Sequence, residues 1–156
     1  MVSPILARDV MVTDLVVLSP QMDVFEAIGL LLKHRVSGAP VVDDHGMYLG
    51  VFSEKCSMSA LVESAYEQLP TTELFAYMDV EALTVDEETD LLTIMEIFET
   101  SRFRRLPVIR DGRLLGQISR RDVLRAVHEL SETVPDRDQL LMHLAVMVRR
   151  DEAEVP

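Results

Sequence analysis

The chain has 156 residues, 48% of them apolar, with few aromatics and no Trp, so a core is feasible and must be built from Leu, Val, Ile and Met. A net charge of −12 excludes nucleic-acid backbones and anionic membrane surfaces as partners. No apolar run approaches the roughly 18 residues that cross a bilayer, the single Cys56 excludes an internal disulfide, and MVSPILARDV lacks signal-peptide regions, so a cytoplasmic location is expected.

In chain order, Ser3 reads as an N-cap with Pro4 at the first helical position, opening a short helix ahead of the first extended run. LVVLSP (15–20) is that extended run. MDVFEAIGLLLKHR (22–35) has Val24, Ala27, Ile28, Leu31 and Leu32 at helical spacing, with Asp23 at the start, where a carboxylate suits the helix dipole. APVVDDHGMYLGVFS (39–53) reads as strand, tight turn and strand, and a second helix starts at Ser53. Residues 64–76 read as a linker: Pro70 ends the preceding helix, and Thr71 or Thr72 caps a short helix entering the next segment.

ALTVDE (82–87) is then extended, and TDLLTIMEIFETSR (89–102) is a helix with Leu91, Ile94, Met95 and Phe98 on one face and Asp90 at its start. LPVIRDGRLLGQIS (106–119) is another hairpin, followed by a helix from Ser119. Residues 136–149 form a last helix with Leu140, Leu141, Leu144, Met147 and Val148 in one stripe, to be buried on its own module or on a symmetry mate.

The chain repeats itself. Pro40 lies over Pro107 at an offset of 67, and Gly50 over Gly116 at 66, because His45 is one extra residue in the first turn. Met11 matches Met78, Asp23 matches Asp90, Arg35 matches Arg102, Ser53 matches Ser119 and Ala60 matches Ala126. Each copy reads β-α-β-β-α. Neither buries both faces alone, so two copies about an approximate two-fold are expected to share a core and leave clefts that suit ligands.

The duplicated unit, with VSGAPVVD, RRLPVIRDG and GQISRRD in these places, resembles a tandem pair of cystathionine-β-synthase (CBS) domains, a Bateman module, over about residues 8–130. The resemblance implies an α/β (α+β) fold of two pseudo-symmetric repeats, 8–63 and 77–130, joined by the linker 64–76 and followed by a C-terminal helix and tail, 131–156. No enzyme, channel or transporter domain accompanies the pair, which resembles the stand-alone kind. The implied function is non-enzymatic: a regulatory, energy-sensing homodimer binding AMP, ADP or ATP between repeats, needing no cofactor, and signalling to a regulated partner that the sequence does not name. The alternative is a ligand-free structural or interaction module with a vestigial site.

Ser119 and Asp122 alone read as a helix capping box. The same helix start offers N–H groups and positive potential to a phosphate. The resemblance assigns Gly116, Ser119 and Asp122 to the family motif Gly-x-x-Ser/Thr-x-x-Asp, with Ser119 on phosphate and Asp122 on the ribose diol. It matches Arg105 to a phosphate-binding arginine and sets Arg121 beside the phosphate. It lines the adenine pocket with Met11 and Val16, and brings Val36, Ser37 and Gly38 to base and sugar; plain core is the alternative for Val16 and Val36.

The first repeat departs from the pattern. Cys56 stands at the diol-binding position, Gly38 at the arginine position, and Phe103 and Arg104 would face that cleft where the other has Val36 and Ser37. One competent site and one blocked or weak site are therefore expected. Eight of the fifteen basic residues fall between Arg102 and Arg125, either a solvated face or an anion site. His34, His45, His128 and His143 lack metal-ligand spacing, and no Walker loop or Rossmann fingerprint is present.

Overall fold

The computed structural model describes residues 3–67 and 72–144. In chain order these form α1 (Ala7–Val10), α2 (Val24–His34), β1 (Gly38–Val42), β2 (Tyr48–Ser53), α3 (Glu54–Tyr66), a 3-10 turn (Leu74–Ala76), β3 (Val85–Asp86), α4 (Leu91–Thr100), β4 (Arg105–Arg110), β5 (Arg113–Ser119), α5 (Arg120–Thr133) and α6 (Arg137–Met142). The two-repeat α/β pattern is thus observed. The chain divides into two units, one holding the described residues through Thr13, Leu83–Arg110 and those from Leu115 on, the other Asp14–Ala82 and Asp111–Leu114.

This division corrects the expected pairing of segments. The N-terminal stretch serves the second repeat: Ala7 N–H donates to Thr89 O at 2.8 Å, and Leu91 N–H to Ile5 O at 3.0 Å. The segment after α3 serves the first repeat: Val24 N–H donates to Thr72 O and Leu74 N–H to Met22 O, both at 2.8 Å. Each repeat therefore completes its core with the other's leading segment. Each unit has its own buried cluster, one around Leu91, Ile94, Phe98, Leu106, Val108 and Ile118, the other around Leu18, Val24, Ala27, Leu31, Val41 and Phe52.

Asp23 and Asp90 are the N-caps of α2 and α4, accepting the N–H of Phe25 and of Thr93 at 2.8 Å. The short caps differ from expectation. Helix α1 starts at Ala7, not Pro4, and Asp9 Oδ2 accepts the Leu6 N–H at 2.9 Å in place of a Ser3 cap. Thr72 makes no cap, because its side chain bonds to Asp23 and holds that carboxyl below the usual range, with help from the Phe25 N–H. Thr71 and Pro70 lie outside the described residues. On α2, Leu32 is 73% exposed and falls outside the buried stripe.

Strands β1 and β2 pair antiparallel from Gly38↔Ser53 to Val42↔Tyr48, with a bulge between Val41 and Val42, and Leu18 adds a parallel bridge to Val41. In the second repeat β3, β4 and β5 form one sheet, with β3 parallel to β4. Asp111 and Gly112, both at positive φ, make the tight turn there. That turn pairs with the first repeat's turn: Tyr48 N–H donates to Gly112 O at 2.9 Å, and Leu114 N–H to Gly46 O at 3.2 Å.

Helix α6 is shorter than the expected 136–149. Leu144 is buried in the Leu91 cluster and Leu141 is exposed. Met147 and Val148 lie outside the described residues. The carbonyls of His143 and Leu144 accept the N–H groups of Ile5 and Leu92, each at 2.7 Å, so this segment covers its own unit. Among the described residues no helix is long and apolar enough to cross a membrane.

Candidate functional site

Of the predicted site residues, Met11, Arg105, Ser119, Arg121 and Asp122 belong to the α4–α5 unit, and Val16, Val36, Ser37 and Gly38 to the α2–α3 unit.

In the α4–α5 unit, β5 runs directly into α5, and Ser119 is the junction residue and N-cap. Its Oγ accepts the Asp122 N–H at 3.2 Å, while Asp122 Oδ2 accepts the Ser119 N–H and hydroxyl, each at 2.8 Å. The capping box expected from the sequence is formed. The other oxygen, Oδ1, lies 3.4 Å from the guanidinium of Arg125. The sequence places Arg125 in the arginine cluster but does not assign its pairing with Asp122, though acid and base three apart on a helix is a recognisable pairing signal.

Arg120 is tied inward: its N–H donates to Arg104 O at 3.3 Å and its guanidinium to Phe98 O at 3.2 Å. With Arg121, Leu124 and Arg125 it lines an open hollow on the first turns of α5. Met11 is held beside the motif because Gly116 has no side chain. A Cβ there would stand 2.8 Å from both Met11 Sδ and Val12 O, and Val12 and Gln117 exchange backbone hydrogen bonds of 2.9 and 3.0 Å. Arg105 is half-buried at the start of β4. Phe103 packs partly onto its own unit's core, with Arg102 5.2 Å over its ring.

The α2–α3 unit repeats this plan with different chemistry. Ser53 caps α3 by accepting the Cys56 N–H at 3.2 Å, and Cys56 Sγ lies 3.3 Å from Ser53 Oγ. The half-buried thiol occupies the position of Asp122 without a charge or a strong acceptor. Ser37 O accepts the Glu54 N–H at 2.9 Å, as Arg104 O accepts that of Arg120. Gly38 pairs with Ser53, and a Cβ there would lie 3.3 Å from Ser53 Cα. Val16 and Val36 are half-buried and pack against this unit's core. Elsewhere in this unit the buried Tyr48 hydroxyl has no partner among the described residues. Burial, then the charge of Asp79, pushes this phenol up to about 12. Among the described residues no cluster of three or more His, Cys, Asp or Glu could hold a metal.

The family model of the CBS domain matches residues 7–55 and 73–129. An uncharacterized protein of Methanocaldococcus jannaschii is 30% identical over 118 residues, 76% of this chain and 41% of its own length. The chloroplastic CBS domain-containing protein CBSX1 of Arabidopsis thaliana is 28% identical over 146 residues, 77% of this chain and 62% of its own. The chain thus spans less than two thirds of these curated relatives. The crystal structure of CBSX2 in complex with AMP superposes with a TM-score of 0.71 at 28% identity, covering 81% of this chain and 98% of that one. A CBS-domain protein of Agrobacterium tumefaciens gives 0.64 at 29% identity, covering 80% and 94%.

Proposed function

The chain belongs to the CBS domain family, with two copies of the domain, and from that premise we propose that it is a non-enzymatic regulatory module that binds one adenosine nucleotide through its second-repeat motif. The observation that carries the reading is the junction of β5 and α5. It sets Ser119 and the helix N-terminus, a ready anion site, next to Asp122 and an arginine-lined hollow. A relative with AMP bound supports the same ligand class. Asp122 takes the ribose diol, Ser119 and Arg105 the phosphate with Arg121 nearby, and Met11 the base. Cys56 leaves the first-repeat motif without a carboxylate, so one nucleotide binds per chain.

The second reading, an interaction module with a vestigial site, draws on one observation. The capping box already accounts for Ser119 and Asp122. A thermal-shift panel of AMP, ADP, ATP and adenosine separates the two. A ligand that binds only the folded state raises the midpoint in proportion to the logarithm of its concentration over Kd. A nucleotide site gives a shift with at least one nucleotide, and Arg105→Ala reduces that shift more than it reduces the adenosine shift. No shift at millimolar nucleotide leaves the vestigial reading.

A homodimer is part of the proposal. Helix α3 turns Ser57 and Ala60 inward and exposes Met58, Leu61, Val62 and Tyr66 by 64, 40, 55 and 87%. Such a stripe marks an interface. The matching face of α5 carries Leu124, His128 and Glu132, the last two forming an ion pair of 3.3 Å when the histidine is protonated. Self-contact through α3 therefore excludes more apolar surface than self-contact through α5.

A further inference from the structure

The acceptor capacity of Asp122 can be followed atom by atom. An ionised carboxylate accepts at about four lone-pair sites, two on each oxygen. Oδ2 already receives two donors, the Ser119 N–H and hydroxyl, both at 2.8 Å. These bonds are part of the α5 cap and form with the helix. Oδ1 receives the Arg125 guanidinium. A ribose cis-diol brings two O–H donors and needs two acceptor sites. Only Oδ1 has them, and only if Arg125 leaves.

The pair is built to yield. At 3.4 Å the contact is longer than the roughly 2.7–2.9 Å of a strong charge-assisted bond. The Arg125 side chain is 58% exposed while that of Asp122 is 13% exposed. Arg125 shares an open, exposed surface at the start of α5 with Arg120, Arg121 and Leu124. An anion held at the α5 N-terminus would meet it there.

We infer that Arg125 is a displaceable latch on the diol-binding carboxylate, an inference that rests on the nucleotide reading of Asp122. In the free protein it occupies Oδ1. A ribonucleoside must evict it to seat both hydroxyls. A neutral nucleoside offers the evicted charge no partner, whereas a phosphorylated ligand does. The latch therefore weakens nucleosides more than nucleotides and makes the site selective for phosphorylated ligands.

The test is calorimetric titration of wild type, Arg125→Ala and Arg125→Gln with adenosine, 2′-deoxyadenosine and ATP. Both substitutions place good helix formers on an exposed face, so the fold is kept. Removing an exposed ion pair frees the carboxylate, and adenosine should bind roughly two- to five-fold tighter to both variants. 2′-Deoxyadenosine has one hydroxyl for the one open site on Oδ1 and should gain little. ATP should gain less than adenosine or lose affinity. Unchanged adenosine affinity, or equal gains for adenosine and 2′-deoxyadenosine, would overturn the latch and leave the nucleotide reading standing. No binding of adenosine or ATP by any of the three proteins at millimolar concentration would overturn both.

Discussion

Replacing Gly116 with alanine places a methyl carbon 2.8 Å from Val12 O and 2.8 Å from Met11 Sδ. The methionine can turn aside; the carbonyl is backbone and cannot. Restoring ordinary contact moves Val12 away by about half an ångström or more, which stretches the pair of hydrogen bonds between Val12 and Gln117, now 2.9 and 3.0 Å. Overpacking of this kind costs about 1–3 kcal/mol, and each weakened backbone bond adds up to about 1 kcal/mol. Gly116→Ala should therefore lose about 2–4 kcal/mol. Gly29→Ala is the control: nothing lies within 4 Å of that Cβ on the exposed face of α2, so the substitution should gain about 0.5–1 kcal/mol. Urea unfolding reads both as shifts in midpoint at constant slope. Gly116→Ala within about 0.5 kcal/mol of wild type would refute the close-approach argument and, with it, the reason Met11 sits beside the motif.

Tyr48→Phe removes a buried hydroxyl that has no partner among the described residues, and should be neutral or stabilising by up to about 1 kcal/mol in urea; a clear loss would mean that the hydroxyl is satisfied. The phenol's folded value of about 12 lies above its ordinary value of 10.0, so its contribution is present below pH 10 and is lost as pH rises toward 12, a decline that Tyr48→Phe should lessen. Cys56→Asp gives α3 the cap that Asp122 gives α5, and should add about 0.5–1 kcal/mol while leaving one nucleotide per chain. Two per chain would show that the carboxylate alone was missing. Val62→Glu, on the exposed α3 stripe, should convert the proposed dimer to monomers in light scattering at micromolar concentration, whereas Leu124→Glu on α5 should not; the opposite pattern would place the contact on α5.

The repeats, hairpins and long helices were legible because each has a local signal. Periodicity marked α2 and α4, Asp23 and Asp90 marked their starts, and Asp-Gly marked the second turn. The exchange of leading segments was not legible. Ser3–Met11 and Thr72–Met78 carry the same pattern, and which repeat each serves is decided by long-range bonds such as Leu91 N–H to Ile5 O at 3.0 Å. Proximity in sequence favoured the wrong assignment. Leu32 failed for a related reason: apolar spacing gives a broad face, and only packing decides which edge is covered. At the candidate site the motif from Gly116 to Asp122 was readable, and so was its capping role. The engagement of Asp122 by Arg125 was overlooked because the motif was read as ending at the aspartate.

The most direct measurement is calorimetric titration of AMP into wild type and Asp122→Asn. Asparagine keeps an oxygen for the Ser119 N–H, so the α5 cap survives while the charge is lost. One AMP should bind per wild-type chain, and affinity should be lower in the variant by about ten- to a hundred-fold, the effect of losing about 1.5–3 kcal/mol of charge-assisted hydrogen bonding. Equal AMP affinity in the two proteins would contradict the ribose role of Asp122, and no AMP binding by wild type would leave the capping box as the whole purpose of the motif.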